Sequence, residues 1–263
     1  ELRTPLNSLL LLSQFLVDNK DNNLSSQEVE YAKTINESGN DLLKLINEIL
    51  DLSKVEAGKM EVNPDPASME ELCEYAERSF RHIARDYGLN YEVRKEDVVP
   101  EVIITDIQRL QQIIRNLLSN AFKFTHKGGV ILHVRMAGEE DLRDFSLADS
   151  KSILAFDVVD TGIGIEKHKQ EMIFEAFQQV DGTTSRLYGG TGLGLSISRR
   201  MSELLGGSIV VKSEVNEGST FTLLLPTNYG EEQLVAQYES AAGIECLTKD
   251  ASVSSAAKQM EST

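Results

Sequence analysis

The stretch Asp160-Thr-Gly-Ile-Gly-Ile165 comes directly after the apolar run 153–159 and carries two closely spaced glycines. A second glycine cluster, Gly189-Gly-Thr-Gly-Leu-Gly-Leu195, comes just before a helical pattern. Glycine lets a backbone turn with positive φ and approach a ligand closely. A helix that begins at Leu193 would direct free N–H groups towards the glycines, which favours an anion there. By themselves the two clusters also fit two ordinary turns with a loop between them.

The composition is that of an ordinary soluble protein of 263 residues, 41% of them hydrophobic and 26% charged. The net charge of −16 argues against a nucleic-acid binder and against attraction to anionic lipid. Cys73 and Cys246 lie far apart and near no His or Cys, which predicts neither a disulfide nor a zinc site and fits a reducing, cytoplasmic compartment. No apolar run approaches the roughly 20 residues of a membrane helix, so any membrane contact is expected only through segments upstream of Glu1.

Two amphipathic helices are predicted within residues 1–60, because apolar residues recur there at spacings of three and four. The first covers 2–17, and the second runs from a capping box at Ser25 and Glu28 to about Ala57. The apolar stripe of the second helix is wider than one partner helix covers. This predicts a helical hairpin that forms a dimeric four-helix bundle with a second chain.

A different pattern follows a predicted linker over 61–67, which contains Asn63-Pro-Asp-Pro66. Helices predicted at 68–87, 106–124 and 193–205 occur among short strands that are mostly joined by hairpins. The predicted strands are 91–93, 102–104, 130–136, 152–159, 208–213 and 219–225. The predicted fold class is therefore α+β, with the hairpin followed by an α/β sandwich domain over 68–228. Residues 229–263, rich in Ser, Ala, Glu and Gln, predict a flexible linker or tail.

Three polar residues share one face of the helix predicted over 106–124. Asn116, Asn120 and Lys123 recur at four and three, beside leucines and isoleucines that would be buried. Two amides and an ammonium are costly on a core helix unless they meet ligands. An amide oxygen suits Mg²⁺, and a lysine suits a phosphate. A polar edge that faces solvent is the alternative interpretation.

Four motifs occur in order along the chain: Asn116-x-x-x-Asn120-x-x-Lys123-Phe124, Asp160-x-Gly162-x-Gly164, the pair Phe174 and Phe177, and Gly190-Thr-Gly192-Leu-Gly194-Leu195. Together they resemble the ATP-binding domain of sensor histidine kinases. Neither glycine cluster fits a dinucleotide fingerprint or a P-loop, since residue 195 is Leu and no Gly-Lys-Ser/Thr occurs.

The N-terminus extends the resemblance to residues 1 to about 226. Glu1-Leu-Arg-Thr4-Pro5-Leu-Asn is similar to the H-box of the dimerisation and phosphotransfer domain, and 51–58 resembles the end of its second helix. In the family the phosphoacceptor histidine immediately precedes the residue that matches Glu1. This chain is therefore expected to be a fragment that binds ATP without its own acceptor.

The resemblance implies ATP and Mg²⁺ as cofactors. Asp160 would accept a hydrogen bond from the adenine amino group, while Gly162 and Gly164 let the backbone pass close to the base. Asn120 would hold Mg²⁺, with Asn116 beside it. The other implied nucleotide-binding residues are Lys123 and Arg186 at the phosphates, Gly190, Thr191, Gly192, Leu193, Gly194 and Leu195 along the triphosphate, and Phe124, Ile165 and Phe177.

The implied reaction is transfer of the γ-phosphoryl group of ATP to the histidine before Glu1, and from there to an aspartate of a response regulator. Glu1 would act as general base and Thr4 would orient water for dephosphorylation, with Asn116 and Lys123 in the phosphotransfer machinery. The implied partners are a second copy, through the hairpin, and a response regulator or a fused receiver domain, as in hybrid kinases.

Two other functions remain as alternatives. An ATPase of the gyrase and mismatch-repair type shares the nucleotide fold, but it needs a glutamate where this chain has Asn116, which cannot take a proton. A degenerate kinase that acts only as a dimeric scaffold or sequesters partners is disfavoured by the intact nucleotide motifs.

Overall fold

The computed structural model describes residues 3–142, 152–176 and 192–229. Those within Glu1–Glu61 and Lys167–Met201 belong to one compact unit, and those within Val62–Glu166 and Ser202–Thr263 belong to another. The predicted site residues Glu1, Phe177, Arg186, Gly190 and Thr191 lie outside the described residues, as does the predicted tail beyond Tyr229.

The helices and strands follow the predicted order closely. The helices are α1 (Arg3–Asp18), α2 (Ser26–Glu56), α3 (Met69–Tyr87), α4 (Ile107–Phe124), α5 (Glu139–Leu142) and α6 (Gly194–Leu204), with short 3-10 helices at Lys167–Lys169 and Met172–Phe174. The strands are β1 (Asp65–Ser68), β2 (Asn90–Lys95), β3 (Val102–Thr105), β4 (Gly129–Met136), β5 (Ile153–Asp160), β6 (Ser208–Glu214) and β7 (Gly218–Pro226). The helical region followed by a mixed α/β domain confirms the predicted fold class.

Helices α1 and α2 form the predicted hairpin. The capping box is present: the Ser25 hydroxyl accepts from the Glu28 amide, and the Glu28 carboxylate accepts from the Ser25 amide. Farther along, the Asn36 side chain donates to the Leu10 carbonyl at 3.1 Å and to the Ser13 hydroxyl at 2.9 Å. These bonds fix the register of the two helices in the middle of the hairpin.

The main sheet has five strands in the order β2-β4-β5-β7-β6, with β2 parallel to β4 and every other pair antiparallel. One face carries Leu132, Val158 and Phe221, which lie side by side on three neighbouring strands. Helices α3 and α4 pack on this face, where Phe80 and Phe122 stack with their ring centroids 5.5 Å apart. Fully buried aliphatic residues of α4 continue this core: Leu110, Ile113, Ile114, Leu117 and Leu118.

The other face of the sheet carries a polar network. Arg135 donates to the carboxylates of Asp157, at 2.7 Å, and Asp141, at 2.6 Å, and Asp157 also accepts from the Thr222 hydroxyl at 2.6 Å. The hydrogen bond and the charge of Arg135 hold the pKa of Asp141 below its usual value. Through Arg135, these bonds connect Asp141, near the start of the β4–β5 connection, to the sheet.

A small second sheet lies where a linker was expected over 61–67. Strand β1 pairs antiparallel with β3. On the other side of β3, the Ile104 amide donates to the Thr227 carbonyl, and the Tyr229 amide donates to the Ile104 carbonyl, each at 2.9 Å. The sequence did not predict β1 because Pro64 and Pro66 are more typical of a linker than of a strand.

No helix among the described residues is long and apolar enough to cross a membrane.

Candidate nucleotide-binding site

Asp160 is the last residue of β5 and is only 7% exposed. Its carboxylate accepts from the Gly162 amide at 2.8 Å and from the amide and hydroxyl of Ser219. Burial raises the pKa of Asp160, while these three hydrogen bonds act in the opposite direction. The site therefore contains a buried acceptor that the protein itself keeps oriented.

The loop after Asp160 is held by three backbone contacts. The Ile163 amide donates to the Phe124 carbonyl at 3.3 Å, the Asn216 amide donates to the Ile163 carbonyl at 2.8 Å, and the Ile165 amide donates to the Ser213 hydroxyl at 2.8 Å. The loop thus contacts both the C-terminal end of α4 and the β6–β7 turn.

Both glycines of this loop are required by the protein's own backbone. A Cβ on Gly162 would lie 2.5 Å from the Phe124 carbonyl oxygen. Gly164 has φ +68, and a Cβ there would overlap the Glu214 carbonyl. The sequence interpretation attributed these glycines to close approach of a base, and the structure adds that they let the loop approach α4 and β6.

Two residues that sequence reasoning missed complete this part of the site. Ser213 accepts from the Ile165 amide, donates to the Gly218 carbonyl at 2.8 Å, and lies 3.0 Å from the Ser219 hydroxyl. Ser219 is directly opposite Asp160 in the β5–β7 register. The sequence places a strand at 219–225 but contains no signal for this register, so neither serine could be assigned.

The polar face of α4 ends at the same loop. Asn116, Asn120 and Lys123 are all half-buried, as expected of residues at the edge of a cleft. Lys123 Nζ lies 4.9 Å from the ring centroid of Phe124, whose carbonyl holds the loop. The next residue, Thr125, is 3% exposed, and its hydroxyl has no partner among the described residues, so it is a further polar group that the sequence did not single out.

The second glycine cluster belongs to the other compact unit, where only Gly192 onwards is described. Gly192 has φ +70, and Leu193 is fully buried. The Leu193 carbonyl accepts from the Ile197 amide at 2.9 Å, and α6 begins at Gly194, so Leu195 lies in its first turn. A helix was predicted to begin at Leu193, and the structure begins it one residue later, at Gly194, just after the positive-φ Gly192.

The residues present fit a nucleotide. A buried carboxylate can accept from an adenine amino group, half-buried amides suit a metal-bound phosphate, and a lysine offsets phosphate charge. Three features define the class of this domain: a sheet with helices on one face, a helix that carries Asn-x-x-x-Asn-x-x-Lys, and an Asp-x-Gly-x-Gly loop at the end of that helix. The class is the ATP-binding domain that histidine kinases share with gyrase-type ATPases.

Family models assign both parts of the chain. Residues 105–229 match the model described as "Histidine kinase-, DNA gyrase B-, and HSP90-like ATPase". Residues 1–58 match the "His Kinase A (phospho-acceptor) domain". The chain belongs to the sensor histidine kinases, as a catalytic core in which a helical hairpin precedes an ATP-binding domain.

Curated relatives agree with this family. The chain is 39% identical over 226 residues to hybrid signal transduction histidine kinase B of Dictyostelium discoideum, covering 86% of this chain and 11% of the relative. It is 36% identical over 241 residues to the autoinducer 2 sensor kinase/phosphatase LuxQ of Vibrio parahaemolyticus, covering 92% and 27%. The chain thus spans less than a third of each of these relatives.

Solved structures share the fold. Full-length ShkA in complex with AMPPNP has a TM-score of 0.70 at 32% identity, over 86% of this chain and 43% of that chain. ThkA in complex with the response regulator protein TrrA has a TM-score of 0.56 at 18% identity, over 88% of this chain and 61% of that chain, and supports the fold alone.

Proposed function

We propose that this chain is the ATP-dependent catalytic core of a two-component system. It transfers the γ-phosphoryl group of ATP to a histidine immediately upstream of Glu1, and the phosphoryl group then passes to an aspartate of a response regulator. The observation that carries the proposal is the buried Asp160 carboxylate on a loop bonded to the end of α4, in one chain with a phospho-acceptor helical hairpin. We assign the hairpin to 1–60 and the catalytic domain to 68–228.

The adenine side of the site is the Asp160 loop. The Asp160 carboxylate accepts from the adenine amino group, and its bonds to Gly162 and Ser219 hold it in place for that purpose. Gly162, Gly164 and Ile165 form the loop beside the base, and Phe124 joins this loop to α4. ShkA, which was solved with the ATP analogue AMPPNP, shares this fold.

We assign the polar face of α4 to the phosphates and the metal. Asn120 would hold Mg²⁺ through its amide oxygen, with Asn116 one turn earlier, and the metal would offset the charge of the phosphates. Lys123 and Arg186 offset phosphate charge. The backbone of 190–195 binds the triphosphate, because the free N–H groups of a helix N-terminus favour an anion.

The hairpin forms a homodimer. Packing of α1 on α2 buries Leu6 and Ala32 but leaves a large apolar surface. The apolar side chains of the hairpin that are at least 40% exposed are Leu9, Leu11, Leu12, Phe15, Leu16, Tyr31, Ile35, Leu42, Ile49 and Leu50. A patch of this size is typical of an interface, and a second hairpin of the same kind covers it in a four-helix bundle.

Phosphotransfer involves two residues near the N-terminus of the chain, Glu1 and Thr4. Glu1 removes the imidazole proton as general base, and Thr4, exposed in the first turn of α1, orients water when the regulator is dephosphorylated. The partner is a response regulator or a fused receiver domain, in keeping with the hybrid relative. The free thiol of Cys73 fits a reducing cytoplasm.

The test restores the residues upstream of Glu1 and supplies radiolabelled ATP with Mg²⁺. We expect an acid-labile phosphoryl label on the protein, transfer of that label to a receiver domain, and little steady-state ATP turnover. Measured ATP binding without any label would favour a scaffold, and substantial turnover would favour a gyrase-type ATPase.

Asn120→Asp is expected to change the Mg²⁺ dependence of ATP binding, and an unchanged dependence would contradict the metal assignment.

A further inference from the structure

A groove runs between α3 and β2, and none of its lining residues belongs to the nucleotide site. Its cavity has a volume of about 320 Å³. Carboxylates of α3 line one wall, and β2 forms the other. The lining residues are Glu70, Cys73, Glu74, Glu77, Arg81, Tyr91, Glu92 and Val93.

The β2 wall is an open sheet edge. Strand β2 is the end strand of the five-stranded sheet, and it pairs only with β4 among the described residues. The amides of Asn90 and Glu96 donate to β4-side carbonyls at 2.9 and 3.0 Å. Because backbone groups alternate along a strand, the amides and carbonyls of Tyr91, Val93 and Lys95 point away from β4. Such a row of donors and acceptors is a template for another strand.

The α3 wall is acidic. Glu70, Glu74 and Glu77 recur at spacings of four and three, so they share one face of the helix. Glu77 forms an ion pair with Arg81 on the same helix. Glu70 and Glu74 are exposed and form no ion pair with any described residue. The α3 side of the groove therefore carries the unpaired negative charges of Glu70 and Glu74, while on the β2 side the charge of Lys95 also acts on Cys73.

The floor of the groove is uncharged and largely apolar. Burial raises the pKa of the Cys73 thiol to about 11, with the charge of Glu70 contributing, so the thiol remains neutral. Burial also raises the pKa of Tyr91, whose ring packs against Phe122 at 5.3 Å between centroids. With Val93 beside them, these side chains provide a surface for the methylene stem of a lysine or arginine whose charged end remains in water.

We propose that this edge of the sheet docks an extended, basic segment of a partner protein as an added strand next to β2. Alternate Lys or Arg side chains of the segment lie over the groove, with their stems on Cys73 and Val93 and their charged ends at Glu70 and Glu74. The other side chains of the segment lie on the face of Glu92 and Arg94. This docking is independent of ATP binding and of phosphotransfer.

Charge complementarity selects this occupant. The tail beyond Tyr229 contains the basic residues Lys249 and Lys258 only, and its acidic residues outnumber them, so it does not fit an acidic groove. A second copy would bring α3 carboxylates towards α3 carboxylates, which is unfavourable. A basic segment from another protein has neither the acidic charge of the tail nor the repulsion between two α3 helices.

The experiment uses a blocked, fluorescent peptide in which Lys and Val alternate, added to the whole 263-residue chain. Anisotropy measures affinity, and hydrogen exchange measures protection of individual amides. We expect saturable binding, with new protection at the amides of Tyr91, Val93 and Lys95. A peptide of alternating Glu and Val should not bind. A Lys–Val peptide that is N-methylated at alternate residues should also fail, because it lacks the strand donors.

The matched variants separate the groove from overall charge. Glu70→Gln with Glu74→Gln should weaken the Lys–Val peptide roughly fivefold or more, as expected for the loss of two ion pairs. Glu139→Gln with Glu140→Gln removes the same charge from α5, where both residues are exposed, and should leave the affinity unchanged. Equal weakening in the two double variants would overturn the proposal, as would full binding of the N-methylated peptide. Concentration-dependent protection of the same amides without peptide would assign the edge to a second copy and also overturn it.

Discussion

The Asp160 carboxylate accepts a hydrogen bond of 2.8 Å from the amide of Gly162, two residues later in the chain. Ser219, directly across the β5–β7 pair, donates to the same carboxylate. A carboxylate has about four acceptor positions, so it can accept from these groups and from a ligand as well. The protein therefore orients the acceptor before any nucleotide arrives, at the cost of burying a charge.

Asp160→Asn is expected to weaken ATP binding by about 1.5–3 kcal/mol, because a charged acceptor is replaced by a neutral one. The same change should leave the unliganded fold as stable at pH 7 or more stable, since burial disfavours the charged form and raises the pKa of Asp160. Calorimetry with ATP and thermal unfolding without it measure the two effects.

The pH dependence gives an independent check on Asp160. A raised pKa means that the folded chain holds this proton more tightly than the unfolded chain does. The stability of the wild type relative to Asp160→Asn is therefore greatest below the unfolded pKa of about 3.9, and it decreases as the pH rises towards the folded pKa. Asp157→Asn is the matched control in the same strand: it removes the charge that pairs with Arg135 and leaves one acceptor for Arg135 and Thr222, so it should lower stability, with ATP affinity unchanged. Equal loss of ATP affinity in both variants would contradict the role of Asp160.

Ser213→Ala should loosen the Asp160 loop, because it removes the acceptor of the Ile165 amide. We expect a loss of about 1–2 kcal/mol in the free energy of unfolding and a several-fold weaker ATP affinity. Urea unfolding and calorimetry measure these. Ser208→Ala is the control on the same strand: its buried hydroxyl has no partner among the described residues, so stability should be unchanged or higher. A Ser213→Ala variant that behaves like Ser208→Ala would show that this bond does not hold the loop.

The contrast between these residues shows what the sequence can predict. Helix α3 and its N-cap at Ser68 were predictable because the cap and the apolar spacing are local signals. The polar face of α4 and the glycines after Asp160 were predictable in the same way. Ser219 was not, because its role depends on lying opposite Asp160, and strand register is decided by pairing between distant segments.

The order of the strands could not be predicted from the sequence for the same reason. Strand β1 is stabilised by its pairing with β3. Its own composition, which includes Pro66, is typical of a linker. The parallel pairing of β2 with β4 leaves β2 at the edge of the sheet, and nothing local to residues 90–95 indicates this.

Asp106→Ala is expected to destabilise the catalytic domain from the start of α4. One Asp106 oxygen accepts from the amides of Gln108 and Arg109, each at 3.1 Å, and the other accepts from the Asn63 amide at 3.2 Å. Loss of an N-cap costs about 0.5–2 kcal/mol, and loss of the Asn63 bond adds to this. Chemical unfolding measures the loss. Asp106→Asn keeps an acceptor and should recover most of the stability. If Asp106→Asn were as unstable as Asp106→Ala, the capping explanation would be wrong.

Leu12→Glu is expected to convert the proposed dimer into a monomer. Leu12 is 63% exposed on α1, although a buried leucine side chain would contribute about 1.5–3 kcal/mol. In a two-fold symmetric bundle each substitution acts twice, and it also places two carboxylates in an apolar interface. Light scattering across a range of concentrations gives the mass of the wild type and the variant, and far-UV circular dichroism checks that the helices persist. Asn23→Glu adds the same charge in the exposed α1–α2 turn and should remain dimeric. Dimers of unchanged affinity in Leu12→Glu would show that this apolar face is not the one that the two chains share.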